Sequence, residues 1–342
     1  MPHRTFIWFI LPSALAMLIF IALPIVSILV QSLFVENERV LVTVENCGPF
    51  GCQKEVRVDA QATAALQREH PLGRFNGLGT YGNRSHLAFS EIAAIWNARP
   101  TLAGFLSEVM TLPFYRALAF TLAYTAVVTP LVIALGFFIA LAVDALPRMV
   151  KGPVIFMSLL PMMITPLIGS LVLFWMIDSN GIIGASIQAL ANDPSLSLKA
   201  SATLAWITLF VYGIWHSAPF AFVVFYAGLQ TVPQDTMESA MIDGASRWER
   251  VRYVVLPHLS PLVVFVALIQ LMDNFRVFEP IVGFSAQANA TSLSFNIYND
   301  LRSTGTPLFG SAAATSVLTL AGVALLLTPV LVRTWRDFKR SR

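Results

Sequence analysis

The amino-acid sequence predicts an all-α protein, a polytopic bundle of six transmembrane helices with both termini on the inner side of the membrane. Its 342 residues are 56% hydrophobic and only 12% charged, and soluble domains carry about twice that charged fraction. Several apolar runs reach the roughly 20 residues that a helix needs to cross a bilayer. Lys and Arg residues gather in alternate short loops, which the positive-inside rule assigns to the cytoplasmic side.

The first apolar run, residues 6–34, predicts a retained membrane helix within a first segment, residues 1–34. The run is too long for the core of a signal peptide, and no small-x-small cleavage site follows it. Pro12 and Pro24 lie inside the run, so we expect the helix to bend there.

Residues 35–112 form a long polar segment that contains Asn, Gly, Pro and scattered charges. We expect a small folded cap outside the membrane, with an amphipathic helix over residues 85–110. The segment contains both cysteines, Cys47 and Cys52, which are too few for a zinc site. The predicted orientation places them in an oxidising compartment, where a small disulfide loop can form. Two free thiols are the alternative.

Five further apolar runs complete the six predicted spans. We expect them to form a five-helix core over residues 113–333, followed by a short inner tail, residues 334–342. The runs cover residues 113–143, 153–177, 200–230, 258–284 and 309–332.

The distribution of Lys and Arg decides the predicted orientation. With the N-terminus inside, the inner side receives Arg4, the loop after the second span, the loop over residues 231–257, and the C-terminal tail. These segments carry most of the positive charge of the short loops, and the short outer segments carry Lys199, Arg276 and Arg302. Both ends and the loop at 231–257 are therefore predicted to be cytoplasmic.

The motifs that are absent from the sequence exclude several classes of function. No G-x-x-x-x-G-K-[ST] phosphate-binding loop and no H-E-x-x-H zinc motif occur, and the five histidines are scattered. We therefore expect no catalytic residues, no metal and no directly bound cofactor. Nothing in the sequence suggests a nucleic-acid partner.

The loop over residues 231–257 is a polar interruption between two long apolar runs. Acidic residues at its start favour a helix N-terminus, and Gly244 is expected to divide it into two short helices. Pro257 is expected to end the second of these. Several of its residues are small, so that a partner can approach the backbone closely: Ser239, Ala240, Gly244 and Ala245.

The spacing within this loop resembles the membrane subunits of binding-protein-dependent ABC importers. Those proteins carry E-A-A, three residues, G, nine residues, I, one residue and L-P. This chain has Glu238-Ser239-Ala240, Gly244 and then Val254-x-Leu256-Pro257, and it departs from the pattern at Ser239 and Val254. The resemblance implies a type I importer permease fold. It also implies a coupling helix that docks on a separate ATPase subunit through Glu238, Ser239, Ala240, Asp243, Gly244 and Ala245.

Polar residues inside the predicted fifth span are candidate substrate contacts, because such residues are expensive in hydrocarbon. Gln270, Asp273 and Asn274 fall on one face of a helix, which we expect to face a central pathway. Hydrogen bonding between helices is the alternative for Gln270 and Asn274. Asp273, Arg276 and Glu279 repeat every three residues and are expected to neutralise one another along the helix.

The predicted fourth span offers aromatic residues that are suited to sugar rings. Tyr212 and Trp215 are candidates for the substrate pathway, and packing between helices or at the membrane interface is the alternative for both. His216 is expected to be an interior histidine with a hydrogen-bond partner rather than a proton carrier.

The resemblance to the importer family extends from about residue 114 to the C-terminus. Residues 160–184 resemble the family's third span, and residues 215–220 and 227–230 resemble the W-x-x-x-P-F and A-G-L-Q signatures of its carbohydrate branch. Residues 275–281 match F-x-x-F-[DE]-x-I. The chain departs from many sugar permeases at residues 283–291, which leaves the solute open.

The resemblance also implies partners and a location. It implies a multi-pass protein of the bacterial inner membrane, surrounded by lipid, that imports a sugar or sugar-like solute. A second permease subunit, two ATPase subunits that use ATP and Mg²⁺, and a periplasmic solute-binding protein would complete the assembly.

Two functions of other classes compete with this hypothesis. One is a secondary transporter driven by an ion gradient, with Asp273 and Glu279 as ion carriers. It would have inverted repeats and broken helices, which the sequence does not reveal, and it leaves the spacing of the loop unexplained. The other is a membrane enzyme or scaffold, for which no catalytic constellation is present.

Overall fold

The computed structural model describes residues 3–48, 51–98, 101–303 and 306–340, and most of these residues are helical. The chain divides into two compact units. The first comprises Met1–Tyr115 with Asn296–Leu320, and the second comprises Arg116–Phe295 with Ala321–Arg342. The predominantly helical fold that the sequence predicts is confirmed.

The elements up to residue 112 are short, apart from the first helix. In chain order they are α1 (His3–Met17), a π-helical turn (Leu18–Ala22), α2 (Leu23–Gln31), β1 (Phe34–Val35), β2 (Leu41–Gly48), β3 (Gly51–Val58), α3 (Ala60–Glu69), β4 (Arg74–Phe75), α4 (Gly79–Gly82), α5 (Phe89–Ala98) and α6 (Leu102–Val109).

The elements from residue 113 onward contain the long helices. They are α7 (Pro113–Asp144), α8 (Arg148–Met163), α9 (Pro166–Met176), α10 (Ile182–Ala191), α11 (Ala202–Leu229), α12 (Gln234–Ile242), α13 (Arg247–Arg250), a π-helical turn (Val251–Val255), α14 (Leu256–Phe275), α15 (Glu279–Gly283), a 3₁₀ turn (Ala286–Ala288), α16 (Leu293–Leu301) and α17 (Phe309–Arg340).

The prediction of a wholly helical chain is wrong for residues 35–112. Strands β2 and β3 pair as an antiparallel hairpin, and β1 pairs with β4. The reason is local, because β-branched residues alternate with polar ones at Val42–Val44 and at Val56–Val58. The amphipathic helix predicted over residues 85–110 is two helices, α5 and α6, whose rings Trp96 and Phe105 pack edge to face. The sequence places Pro100 between them, and proline is disfavoured inside a helix.

Within the first unit, a buried histidine holds the polar segment against the start of α17. His86 is only 1% exposed, and its Nε2 lies 3.1 Å from both the carbonyl oxygen of Ser311 and Oγ1 of Thr315. Tyr81 donates a hydrogen bond to Ser32, just after α2. The segment is therefore tied to membrane helices through side chains, and it has its own secondary structure.

Five described helices are long and apolar enough to cross a membrane, or six if the bent pair α8 and α9 counts as one span. These two helices meet at 93°. The break lies at Ile164 and Thr165, whose backbones are extended. Thr165 precedes Pro166, and a residue before proline is disfavoured in the helical conformation. The sequence analysis missed this broken span.

Two prolines are accommodated by π-helical turns, so they do not end their helices. The turn Leu18–Ala22 comes just before Pro24, and the turn Val251–Val255 comes just before Pro257. Proline lacks an N–H and clashes with the carbonyl group four residues earlier, and a wider turn relieves both conflicts. The expectation that Pro257 ends the second loop helix is therefore wrong, because a helical backbone continues from Arg247 to Phe275.

The core of the second unit is built from aromatic side chains of α7 and α11. Phe120 is fully buried, and its ring packs against Trp206 and Phe210. At Gly136 of α7, an added Cβ would lie 2.8 Å from the backbone nitrogen of Phe222. A small residue here allows α7 and α11 to pack closely, as is common between membrane helices.

The segment between α9 and α11 is held by an ion pair. Lys199 Nζ lies 2.8 Å from Oδ2 of Asp178 and 3.4 Å from the centre of the Phe174 ring. The hydrogen bond from Lys199 lowers the pKa of Asp178 below its usual range. Asp178 therefore has a specific charged partner, Lys199.

Candidate functional site

The first candidate region is the loop between α11 and α14. Helix α12 follows Pro233 and carries Asp235 in its first turn, and Asp243 caps its end. Helix α13 begins after Ser246, whose side chain forms a reciprocal capping box with Glu249. Gly244 separates two helices, as predicted, but only the first is short, because the second continues through the π-helical turn into α14.

Gly244 is required by the way α12 ends. The N–H of Ala245 donates to the carbonyl of Ala240, and the N–H of Gly244 donates to the carbonyl of Met241. This is the Schellman arrangement, which needs a left-handed residue just after the cap. Gly244 has φ +79°, a conformation that side chains disfavour. The spacing from Ala240 to Gly244 is therefore a helix-ending signal as well as a pattern of small residues.

The loop presents an open apolar surface. A Cβ atom added at Gly244 would meet no described atom within 4 Å. Glu238, Ser239 and Asp243 are exposed, and Ala240 and Ala245 are half-buried. Ile242 is 87% exposed and Trp248 66% exposed. Large apolar side chains clustered on a polar loop mark an interaction surface.

The second candidate region is a polar cavity of about 490 Å³ in the second unit. Its lining comes from α7, the start of α9, α11 and the segment around the end of α14. The lining residues are Tyr124, Pro166, Tyr212, Gly213, His216, Ser217, Asp273, Asn274, Arg276, Val277, Glu279 and Pro280. Hydroxyl, amide, imidazole and carboxylate groups therefore converge on one space, which suits a polyhydroxylated solute.

Asn274 belongs both to this cavity and to the packing between helices. It is 5% exposed, and its amide donates to Oγ1 of Thr129 at 3.0 Å and, more weakly, to Oε1 of Gln270 at 3.4 Å. Gln270 is 4% exposed and does not line the cavity. The predicted common face of Gln270, Asp273 and Asn274 is thus divided, because Gln270 is buried outside the cavity and only Asp273 and Asn274 line it.

The expected charge ladder is only half formed. Arg276 lies 3.1 Å from Oδ1 of Asp273 and forms an ion pair with it. Helix α14 ends at Phe275, and Glu279 begins the separate helix α15. The three charges therefore do not share one helix, and no ion pair between described residues includes Glu279.

Tyr212 and His216 lie one turn apart on α11 and hold the break between α8 and α9. The Tyr212 hydroxyl donates to the carbonyl of Pro166 at 2.7 Å, and Nε2 of His216 lies 3.0 Å from the carbonyl of Ile164. The Ile164 carbonyl follows the last turn of α8 and lacks a helical partner, which His216 supplies, and the Tyr212 hydroxyl ties α11 to the start of α9. The prediction that His216 is an interior histidine with a partner is confirmed.

Trp215 does not line the polar cavity. It borders a separate apolar cavity of about 300 Å³ between α9 and α11, and it is 46% exposed. Tyr212 lines both cavities. The two rings are neighbours on α11, with centroids 6.1 Å apart, but of the predicted pair only Tyr212 lines the polar cavity.

Several cavity and support residues were missed in the sequence. Tyr124 and Ser217 line the cavity, and Thr129 supports Asn274. A signal was present, because Thr121, Thr125 and Thr129 recur every four residues within one apolar run, and all three are buried. Among the described residues, no group of three His, Cys, Asp or Glu side chains is placed to hold a metal ion.

Cys47 and Cys52 occupy opposite positions of the β2–β3 hairpin. Residues directly opposite in an antiparallel pair have Cα atoms about 4.5–5.5 Å apart, within the range that disulfides use. Their side chains lie outside the described part of the structure, so the disulfide stays a prediction.

Comparison with known proteins places these features in a family context. The family described as binding-protein-dependent transport system inner membrane component matches residues 100–336. A probable ABC transporter permease protein of Sinorhizobium fredii is 29% identical over 237 residues, which cover 67% of this chain and 74% of that protein.

Two relatives carry names that refer to sugars. The trehalose transport system permease protein of Mycobacterium tuberculosis is 31% identical over 214 residues, covering 62% of this chain and 67% of that protein. The trehalose/maltose transport system permease protein of Thermococcus litoralis is 32% identical over 143 residues. That match covers 40% of this chain and less than half, 46%, of the relative.

A solved structure shares the fold. It belongs to a bacterial ABC transporter involved in the import of the acidic polysaccharide alginate, with a TM-score of 0.61 and 20% sequence identity. The similarity covers 73% of this chain and 90% of the other chain.

Proposed function

Because this chain belongs to the family of binding-protein-dependent transport system inner membrane components, we propose that it forms half of the sugar pathway of an ATP-driven importer. The chain is a multi-pass permease subunit of the inner membrane and is not an enzyme. ATP is hydrolysed by a separate subunit of such transporters. We further propose the class of the solute, the individual partner proteins, and the residues that contact them.

The observation that carries the proposal is the exposed turn between α12 and α13. Its backbone is fixed by the hydrogen bonds from Gly244 and Ala245, and its outer surface makes no contact at Gly244. A rigid turn with an open apolar surface can transmit force, because it is shaped before its partner arrives. We assign ATPase docking to Glu238, Ser239, Ala240, Asp243, Gly244 and Ala245.

The helical connection from this turn to the cavity supports a coupling mechanism. The backbone runs as one helix from Arg247, next to the turn, to Phe275, next to Asp273 and Asn274. Movement of the ATPase subunits against the turn would therefore tilt the helix that lines the pathway. Coupling requires two discrete states that both sites bias, and the pathway would open alternately outward and inward.

The cavity supports a sugar or polyol as the solute. It offers donors and acceptors from Tyr124, Ser217 and Asn274, together with the carboxylate of Asp273. The named relatives transport trehalose or maltose, and such sugars present several hydroxyl groups. A second permease subunit would complete the pathway, and a periplasmic binding protein would deliver the solute.

One structural observation favours the ion-driven alternative, in which Asp273 and Glu279 carry ions. Secondary transporters contain broken helices near their binding sites, and α8 and α9 form a broken span beside the cavity. The alternative gives no role to the exposed turn at Gly244, so the importer remains the proposal that uses both regions.

Purification of the tagged chain from its native membrane tests the proposal. We expect a protein with a G-x-x-x-x-G-K-[ST] motif to co-purify, and the complex in vesicles to take up labelled trehalose or maltose only with hydrolysable ATP. Uptake by the chain alone, driven by a proton or sodium gradient, would support the ion-driven alternative instead.

The matched control uses the two variants Gly244→Ala and Gly244→Arg. Alanine adds only a Cβ to an open surface, whereas arginine places a long side chain where the ATPase is proposed to dock. If both variants still co-purify with the ATPase, the docking surface does not lie at this turn.

A further inference from the structure

We propose that Glu279 gives the cavity a negative potential that selects against acidic solutes, so that the cargo is a neutral or amino-bearing sugar. This inference rests on the proposed function, because it concerns the solute of the same pathway. It assigns a specificity-determining role to a residue that the sequence places in a charge ladder. The net charge of the cavity depends on which of its charged lining groups are already paired.

Arg276, the basic residue of the lining, forms its hydrogen bonds at the end of its own helix. Arg276 is the C-cap of α14, and its NH2 group donates to Oδ1 of Asp273 at 3.1 Å. Its Nε donates to the carbonyl of Met272 at 3.3 Å. Two of its donors therefore face the helix that they terminate. Because Arg276 is paired with Asp273, its positive charge is already balanced when a solute enters the cavity.

Glu279 is left as the uncompensated charge of the lining. The ion pairs between described residues do not include it, and Arg276 is the only Lys or Arg among the lining residues. His216 adds no charge in its neutral form, in which Nε2–H donates to the carbonyl of Ile164. The lining therefore carries two carboxylates and one guanidinium group, with a net charge of −1 while His216 is neutral.

The backbone explains why Glu279 is separated from the ion pair. Helix α14 ends at Phe275, and Phe278 has φ −142° and ψ −59°, outside helical geometry. Glu279 then occupies the first turn of α15, followed by Pro280. The exposed Glu279 carboxylate lines the cavity together with the hydroxyl-bearing Tyr124 and Tyr212.

A single unbalanced charge is sufficient for selection. The cavity is walled by protein, so charges act over a few ångströms with less screening than in bulk solution. A carboxylate or phosphate on the solute would be repelled, whereas sugar hydroxyls would donate hydrogen bonds to Glu279. An ammonium group on an amino sugar would pair with it.

Charged thiol reagents measure this potential without knowledge of the cargo. In the assembled transporter, with Cys47→Ser and Cys52→Ser as background, Ser217→Cys places one thiol in the lining. The reagents are the cationic 2-(trimethylammonium)ethyl and the anionic 2-sulfonatoethyl methanethiosulfonates. Their rates are normalised to those with a small thiol in solution. We expect the cationic reagent to be favoured about five- to ten-fold.

Substitutions of Glu279 then test whether its carboxylate is the source of the negative potential. Glu279→Gln should bring the normalised ratio close to one, and Glu279→Lys should favour the anionic reagent. Glu69→Gln removes the same charge from an exposed position on α3, which does not line the cavity, and should leave the ratio unchanged. An unchanged ratio in Glu279→Gln would overturn the proposal, as would a preference for the anionic reagent in the parent protein.

A second thiol position covers the case in which Ser217→Cys is inaccessible. His216 also lines the cavity, so His216→Cys provides a second thiol there. If neither thiol reacts, the cavity does not admit aqueous solutes, which also refutes the inference. The rates are measured without nucleotide. Loss of ATP dependence in uptake would therefore refute the proposed function and leave the charge preference standing.

Discussion

The loop around Gly244 and the cavity around Asn274 belong to the same compact unit, yet they are built in opposite ways. The loop is held by backbone hydrogen bonds between neighbouring residues, and most of its side chains are exposed. The cavity is held by side chains from different helices, such as Asn274 and Thr129, which lie 145 positions apart in sequence. One region is local in sequence and open to a partner, and the other is assembled from distant segments.

The difference teaches where each kind of functional residue can be recognised. A docking surface formed by one helix–turn–helix keeps its spacing in the sequence, because the partner contacts consecutive turns. A cavity keeps no such spacing, because each wall comes from a separate span. The comparison also predicts different effects of mutation, since a change in the loop should alter coupling and a change in the cavity should alter both stability and substrate response.

The largest effect is expected at the loop. Gly244→Arg should abolish uptake and leave membrane insertion intact, because it blocks the open surface and forces a side chain into a left-handed backbone. Gly244→Ala carries only the backbone penalty, about 1–2 kcal/mol, and should retain most uptake. Uptake assays with quantified membrane protein check this pair, and normal uptake by Gly244→Arg would contradict the coupling role.

A mutation in the cavity should have a smaller effect, which includes both stability and the response of ATP hydrolysis to substrate. Asn274→Leu removes the donor to Thr129 and a polar cavity group, so it should reduce substrate-stimulated ATP hydrolysis more than basal hydrolysis. The lost hydrogen bond should cost about 1 kcal/mol of stability. Both rates are measured in the reconstituted complex.

Thr129→Val provides the control for Asn274, because it breaks the same hydrogen bond and Thr129 does not line the cavity. It should lower stability and leave stimulation by substrate nearly unchanged. Equal loss of stimulation in Thr129→Val and Asn274→Leu would assign Asn274 to helix packing alone.

A hydroxyl deletion sharpens the comparison at the broken span. Tyr212→Phe removes the hydrogen bond to the carbonyl of Pro166 and should lower thermal stability by about 1 kcal/mol. Tyr226→Phe, on the same helix, removes a hydroxyl that makes no hydrogen bond to a described residue, and it should have no effect. Thermal unfolding in detergent compares the two, and equal midpoints would mean that Tyr212 does not stabilise the break.

The smallest effect is expected in the β2–β3 hairpin, away from both regions. Cys47 and Cys52 should label with a thiol reagent only after reduction, because their backbones are directly opposite. The closed ring is short, so Cys47→Ser should change global stability little. Immediate labelling of the unreduced protein would show that the thiols are free.

The helical spans could be predicted closely from the sequence, but their irregularities could not. Apolar runs revealed the spans at residues 113–143 and 309–332 because a bilayer requires about 20 apolar residues. The 93° break after Met163 was missed, because its two halves form one continuous apolar run. The reverse holds for the polar segment, because an alternating strand pattern is visible in the sequence at residues 41–58 although no strands were predicted there.

The candidate sites divide in the same way. The helix break at Gly244 was predicted correctly, because the end of α12 requires a residue with a left-handed backbone. Gln270 was predicted from helical periodicity and Trp215 from its aromatic side chain, and neither property specifies which neighbour the residue meets in the folded protein. Thr129 and Tyr124 were missed because their roles depend on α7 packing beside α11 and α14.

The sequence by itself determined the membrane-spanning class, the loop with its glycine turn, and the family, because each depends on composition or on spacing along one segment. Only the tertiary structure decided that Asn274 bonds to Thr129, that Trp215 lies outside the polar cavity, and that Glu279 is separated from the Asp273–Arg276 ion pair. Those outcomes depend on helix ends and on side chains that meet across long separations in sequence. Free energies of contact are set by position in space, and a linear pattern does not specify that position.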